Sequence, residues 1–522
     1  MNKKPNRFWL IILLLGLSID FLFWKKSIGI NFAIFAVLCV IGGFYLLVSN
    51  ALHPAKKSLW LLFPLLFFLV ITFLRQEPLT SFLAFLFVLF FLGVLASTYL
   101  GGRWFQYSLL DYVKNFLNLG FGAVSRPPNF FKQLQQERAE RSDEKELFNL
   151  MPILRGVLLA LPIVLILAAL LASADLVYQQ KLTDFLDLFS FEKILEYTFR
   201  FFLVGVGAYV LTGVFLHAAT KSQDEKLLED EHPIVKPFLG FTEAAIILGS
   251  VVILFMTFVI IQFQYFFGGE VNLGIDGYTF SQYARRGFSE LNIVAFFSLL
   301  LILGLSIIAH RQTHTKRRVF SALSAIIVMQ VMVILVSSYQ RLDLAIGWHG
   351  YSRLRLYPRI FLIWLGLLLV AVVLLEIYRL ERYFTLAFLI ASIGFSVSLS
   401  LTNVDASIVR YNIYRETQGK HLNYFHLASL SSDAVPALVE EFQGSNTPPS
   451  VSDNLGAVLL CYAHSEKLTK GGQDWRSYNF SRWQARKSLI AIQEPLGEYR
   501  VNDKKSPVRV HTPAGELFRC PR

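Results

Sequence analysis

Residues 239–264 read LGFTEAAIILGSVVILFMTFVIIQFQ, a run of 26 residues whose sole formal charge is Glu243. As a helix this run is about 39 Å long at 1.5 Å per residue, and the hydrocarbon core of a bilayer is about 30 Å thick. A backbone in lipid must satisfy its own hydrogen bonds, so such a run is read as a spanning helix. Similar runs place spans at about 8–24, 28–49, 58–74, 79–100, 153–174, 196–217, 239–264, 290–310, 319–338, 358–378 and 384–402. The first carries Asp20, and its start, MNKKPNRFWLIILLLGL, imitates a signal peptide. No small-x-small cleavage pattern follows the apolar core, so it is read as an uncleaved helix. The predicted fold class is an all-α polytopic membrane protein with about 11 transmembrane helices and a small, mainly helical C-terminal extramembrane domain.

Charge supports that class. Only 16% of the 522 residues are charged, against about 25% in a soluble domain, too few to coat a water-facing surface of this size. The net charge of +12 raises nucleic acid as a partner. No soluble segment carries a basic patch interleaved with aromatics, so that class is set aside. The basic residues sit instead in short loops between apolar runs, where they anchor helices at headgroups and set orientation. With the N-terminus inside, the inner segments hold 21 Lys and Arg and the outer segments 12, with Lys25 and Lys26 the main dissent. The bias predicts a cytoplasmic N-terminus in the inner (plasma) membrane, and an odd number of spans then puts the C-terminus outside.

Four segments follow: an N-terminal four-helix membrane segment (1–100), a cytoplasmic amphipathic and charged loop (101–151), a seven-helix membrane core (152–402) and an extracytoplasmic C-terminal domain (403–522). In the loop, Phe105, Leu109, Leu110, Val113, Phe116 and Leu117 make one apolar helical face, predicted to lie along the inner leaflet. The following FKQLQQERAERSDEKELF alternates charge sign and reads as a solvated helix. Residues 218–238 are acidic, close with two prolines and read as a linker. Residues 403–522 hold 15 Lys and Arg against 12 Asp and Glu, and include Trp475 and Trp483. Amphipathic spacing predicts helices at 404–417, 432–443, 453–467 and 475–492, with Asp405, Ser432 and Asp453 as N-caps, and a short hairpin after Glu498.

Several residues are candidates for function. If the tail lies outside, Cys461 and Cys520 occupy an oxidising compartment and can bridge a helix end to the chain terminus; otherwise they are two separate thiols. Cys39 lies in an apolar run and reads as packing. The outer loop 268–290 carries the adjacent pair Arg285 and Arg286, whose planar guanidinium groups suit a phosphate or carboxylate of a lipid or glycan. The simpler reading is that the pair anchors the next helix and bonds Glu290, since basic residues flank most spans. The segment 339–359 carries Arg341, Asp343, Arg353, Arg355 and Arg359, an outward excess of arginine that suggests an anion-binding vestibule. Alternatively it dips between helices and its arginines bond Asp343 or Glu376. Glu243, with Asp20 and Glu376, is an acid within a span and a candidate coupling group for protons or ions; each also lies within reach of an interface. His310 and His314 lack a nearby acidic third ligand, so no metal is predicted, and no cofactor is called for.

No G-x-x-x-x-G-K-[ST] loop, H-E-x-x-H or G-x-S-x-G occurs, and no inverted repeat with paired broken helices is visible. The ordered motifs QYFFGG (264–269), GYTFSQYARRGFSEL (277–291), SRLRLYPR (352–359), NVDASIVRYNIYR (403–415), LSSDAVPAL (430–438) and WRSYNFSRWQAR (475–486) resemble a family of bacterial multipass membrane proteins, domain of unknown function 4173, related to 4153. The resemblance covers roughly residues 150–490. It implies a bacterial inner-membrane protein with a C-terminal extramembrane region, and supplies no activity, substrate or catalytic residue. The expectation is a non-enzymatic envelope sensor, binding or scaffold protein whose partners are membrane lipids and an envelope protein or anionic ligand. The alternatives are a transporter of an anionic solute or lipid and a membrane-embedded glycosyl or lipid transferase. The latter is disfavoured because its acid usually stands in a large first outer loop, here only about residues 24–28.

Overall fold

Apolar runs bounded by charge or glycine become long helices. The structure, a computed structural model, describes residues 5–141, scattered positions within 156–181, then 191–220, 238–267, 288–310, 313–445, 447–464, 474–502 and 507–521. The long helices are α1 (Pro5–Phe23), α2 (Ile30–Ser49), α3 (Leu62–Leu74), α4 (Pro78–Ser97), α5 (Leu109–Arg141), α6 (Phe191–Ala218), α7 (Phe241–Phe267), α8 (Phe288–Ile308), α9 (His314–His349), α10 (Arg353–Ile377) and α11 (Phe384–Thr402). Among the described residues, nine helices are long and apolar enough to cross a membrane. α1 coincides with the predicted first span but is not among those nine. Most of the predicted span 153–174 and of the linker 218–238 lies outside the described residues. Ile246, Ile253 and Leu254 of α7 are more than 60% exposed, as expected of side chains that face lipid rather than water.

The chain divides into two compact units. The first holds α1, most of α2, α6 and the second part of α5, around Phe8, Ile12, Leu15, Leu46, Phe130, Leu134 and Phe215. Its polar groups answer one another. Arg200 of α6 grips Asp20 with two bonds of 2.7 and 2.5 Å. Lys25 and Trp24 share Glu196.

Among the described residues of the loop predicted from 101 to 151 there is one long helix, α5, running through Pro127 and Pro128. Two prolines deprive the carbonyls of Ala123 and Val124 of their intrahelical donors. Tyr209 Oη donates to the Val124 carbonyl at 2.5 Å. Gly213 brings α6 so close that an added Cβ would overlap the Ala123 carbonyl. Leu109, Leu110, Val113 and Leu117 of the predicted apolar face are exposed.

The second unit holds α3, α4, α7–α11 and the C-terminal helices. α7, α8 and α10 pack around α9, with Leu248, Ala295, Leu299, Ile327, Val331 and Leu369 in one core. Gln330 Nε2 donates to the Val252 carbonyl at 3.0 Å, and Ser337 Oγ to Gln262 Oε1 at 2.7 Å. α9 does not stop near residue 338. It continues to His349, so the segment predicted as a loop over 339–359 is helix except for residues 350–352. His310 stands before α9, next to the Leu239–Ala309 bridge and donating its N–H to the Leu239 carbonyl at 2.9 Å, so it shares no helix with His314.

After Asn403 come α12 (Val404–Thr417), α13 (Tyr424–Ala428), α14 (Val435–Phe442), α15 (Pro449–Ala463) and α16 (Phe480–Ala491). A three-stranded antiparallel sheet follows: β1 (Arg500–Asn502), β2 (Arg509–His511) and β3 (Leu517–Arg519), one strand more than a hairpin. The predicted caps shift. Asn403 caps α12, Ser431 caps the short turn before α14, and Asp453 lies inside α15. The core of these helices includes Leu356 of α10 and Leu399 of α11, with Leu79 and Leu83 of α4 packed against it. Trp475 and Trp483 stay exposed.

Candidate functional site: a buried charge junction

Polar groups separated by hundreds of residues meet where α4 and α10 begin and α11 passes into α12. The first is a cap. Proline at the first position of α4 suits the helix start, and Glu77 before it accepts from the N–H groups of Leu79 and Thr80 at 3.0 and 2.7 Å and from Thr80 Oγ1 at 2.5 Å. Tyr357 of α10 donates its hydroxyl to the same carboxylate. Glu77 is 2% exposed, and these four donors compensate its desolvation.

The second is Asp433. Its Oδ2 accepts the N–H groups of Gln76 and Glu77, both at 2.8 Å, which ties the turn before α14 to the α3–α4 connection. Arg75 Nε donates to the Ser400 carbonyl at 3.1 Å.

The third is Asp405, fully buried. Arg353 meets it as a planar fork, Nε to Oδ1 at 2.8 Å and Nη2 to Oδ2 at 2.6 Å. Ser431 adds its N–H at 2.8 Å and its hydroxyl at 2.6 Å. Such bidentate, charge-assisted bonds are short and directional. Asp405 is thus not the cap that its place near a helix start predicts.

The adjoining turn between α9 and α10 is held from α12. Asn412 accepts from Tyr351 N–H at 2.7 Å and donates to the Tyr351 carbonyl at 2.8 Å, imitating a strand partner. Arg415 donates to the carbonyls of Gly347 and Trp348, and Lys420 to Gly347. Cations on the last carbonyls of a helix also complement its dipole. Gly350 has φ 77° and ψ −178°, and a Cβ there would overlap Asn412 Oδ1. That backbone region is essentially confined to glycine. Gly350→Ala is expected to lower stability by about 1–3 kcal/mol from the backbone alone, read as an earlier midpoint in thermal unfolding followed by tryptophan fluorescence. An unchanged midpoint would show that the turn relaxes freely.

Electrostatics at the junction are set by burial. Burial raises the Asp433 carboxyl above 3.8, by more than the Ser481 side chain, the backbone donors of Gln76 and Glu77 and the charge of Arg75 lower it. Burial, then the Arg353 guanidinium, holds the His426 imidazole below its ordinary value. The Asp433 shift fixes a sign. A carboxyl that binds its proton more tightly in the folded state loses stability as pH rises from the unfolded value through the raised one, with no further change above it. Asp433→Asn keeps an acceptor for the two N–H groups and does not titrate. The midpoint difference is expected to move in favour of the variant as pH rises above about 3.8 and then level off. A difference that moves the other way would contradict this.

The residues singled out from sequence are scattered. Arg285 and Arg286 lie outside the described residues. Arg353 is committed to Asp405, and Arg355 Nη1 donates to the Gly350 carbonyl at 3.0 Å. Arg359 bonds Tyr339 and Tyr351 and lies 3.2 Å from Asp343, the pairing of the alternative reading, but made between helices and not by a dipping loop. Glu243 is exposed in the first turn of α7, where it accepts from Gly240 N–H at 2.8 Å in the manner of a capping box. Cys461 and Cys520 are joined as a disulfide, with Cα atoms 5.4 Å apart, stapling α15 to the segment after β3. Glu77, Asp433 and Asn412 carry the junction and were not singled out by sequence reasoning. The Glu-Pro start of α4 is the one local signal that could have found any of them.

Among curated proteins and among solved structures, nothing matches the chain. The family model described as Domain of unknown function (DUF4153) matches residues 62–441, which runs from the start of α3 to within α14 and takes in Glu77, Arg353, Asp405, Asn412 and Asp433. With that match over more than half its length, the chain is an integral membrane protein that belongs to the DUF4153 family.

Proposed function

We propose that the protein is a non-enzymatic sensor or scaffold of the bacterial cell envelope, of the 4173 type within its family. In this reading it crosses the inner membrane eleven times, keeps its N-terminus in the cytoplasm, and carries its C-terminal helices and sheet outside as a binding domain. The observation that supports it is the junction. Asp405 and Asp433 stand in the C-terminal region and are bonded to Arg353 at the start of α10 and to the backbone before α4. A partner that displaces these helices therefore acts directly on the ends of the helices below. Four clustered Lys and Arg after α8 and two after α10, set against the Lys and Arg count of the other face, favour this orientation.

The test has two parts. A periplasm-active reporter fused after Arg522 is expected to be active, and a cytoplasm-active one silent; the reverse would remove the envelope-facing reading. Arg285→Gln with Arg286→Gln is expected to leave abundance unchanged and to fail to complement a deletion strain under envelope stress. Normal abundance with a normal phenotype would remove those two residues from the binding surface.

A further inference from the structure

At the other end of α10 from the junction, residues 314, 317, 318 and 321 of α9 follow the i, i+3, i+4, i+7 spacing that puts side chains on one helical face. They are His314, Arg317, Arg318 and Ser321, and with Glu376 and Arg379 from the end of α10 they line a cavity of about 350 Å³. We infer that this cavity is a binding site for the phosphate group of a molecule with net negative charge, a class that excludes zwitterionic phosphatidylcholine.

The charge is the first argument. Helix starts favour anions, because the free N–H groups and the dipole are positive there. α9 instead begins with His314, Lys316, Arg317 and Arg318, and its N-cap Thr313 makes no side-chain capping bond. Arg317 is answered by Glu381. Arg379 Nη2 lies 2.7 Å from His314 Nδ1, a bond in which the imidazole offers its lone pair and cancels no charge. Arg318 is exposed and makes no hydrogen bond or ion pair among the described residues. The one acid of the lining, Glu376, is 1% exposed and accepts from Ser306 Oγ at 3.1 Å. It forms the floor, while the cations form the rim.

Shape is the second argument. Guanidinium groups match phosphate oxygens through paired N–H donors, and three of them converge here on a space within the range of small-ligand sites. Arg379 is held there at φ 60°, a left-handed conformation that non-glycine residues adopt at a cost. Basic pockets between the ends of membrane helices also suit anionic headgroups. A phospholipid headgroup and a soluble phosphate share this chemistry.

The experiment uses the full chain in phosphatidylcholine nanodiscs, with thermal stabilisation as readout. In one arm phosphatidylglycerol is incorporated in increasing amounts; in the other, inorganic phosphate is titrated. Stabilisation is expected in at least one arm. The lipid arm alone identifies a headgroup site, and a response to phosphate identifies a site open to solutes. Arg318→Gln is expected to weaken the apparent affinity about tenfold, the effect of losing one charge-assisted bond, and Arg318→Lys less. Arg500→Gln, which removes an exposed cation of β1, is expected to leave it unchanged. Because Arg318 is exposed, its replacement leaves the fold intact; Arg379→Gln added to it is expected to abolish the response. No stabilisation in either arm, or an equal loss in Arg500→Gln, would overturn the inference.

Discussion

Replacing Asp405 by alanine is expected to destabilise the protein by about 3–5 kcal/mol, the range for removing one partner of a buried ion pair. The side chain is fully buried and receives four bonds, two from Arg353 and two from Ser431. Alanine leaves the guanidinium and a serine hydroxyl without their acceptor in a water-poor place, so the cost comes from the groups left behind. The measurement is thermal unfolding in detergent, together with the yield of monodisperse protein by size exclusion. A double replacement, Asp405→Leu with Arg353→Met, is expected to recover most of the loss, since apolar groups of similar volume need no partner. If the single replacement shifts the midpoint little, the pair is not what holds α12 to α10.

The second large effect is expected from the bridge between Cys461 and Cys520, whose sequence separation is 59. In the chain-entropy account, closing a loop of this size restricts the unfolded chain by about 4 kcal/mol. Both cysteines are buried, so alanine at the two positions also loses some packing. The oxidised wild type is expected to unfold well above the double alanine variant, and the wild type with dithiothreitol to match it. Equal midpoints for oxidised and reduced wild type would mean that the sheet and α15 are held by packing alone. The same bridge reports on compartment: in extracts quenched with a thiol-blocking reagent, a faster-migrating non-reduced form is expected if these residues face an oxidising space.

What sequence made legible follows its physical period. α7 and α12 lie close to their predicted limits, because an uninterrupted apolar run and a clean amphipathic spacing are local signals. α9 exceeded its predicted length because hydropathy stops at the first charge, whereas a helix continues while its charges find partners. Arg341 donates to Gln262, and Asp343 lies beside Arg359. The junction was harder. Arg353 and Asp405 are 52 residues apart, and Gln76 and Asp433 are 357 apart. No spacing rule links such positions; only the packing of α4, α10 and α12 brings them together. Arg353 drew attention as an excess charge and Asp405 as a cap, each from its own neighbourhood. The basic cavity was half visible: the cluster before α9 read as an anchor, and Glu376 as an isolated acid.

Asn403 closes α11 and opens α12, in a left-handed conformation with φ 46°, and its side chain accepts from Ala406 N–H. One residue therefore joins the two helices, and Ser407 Oγ of α12 donates back to the Thr402 carbonyl at 3.1 Å. With no linker between them, a rotation of α11 is expected to be felt at α12, and through the Asp405–Arg353 fork at the start of α10. A flexible insert after Asn403 would leave each helix whole while letting one turn without the other.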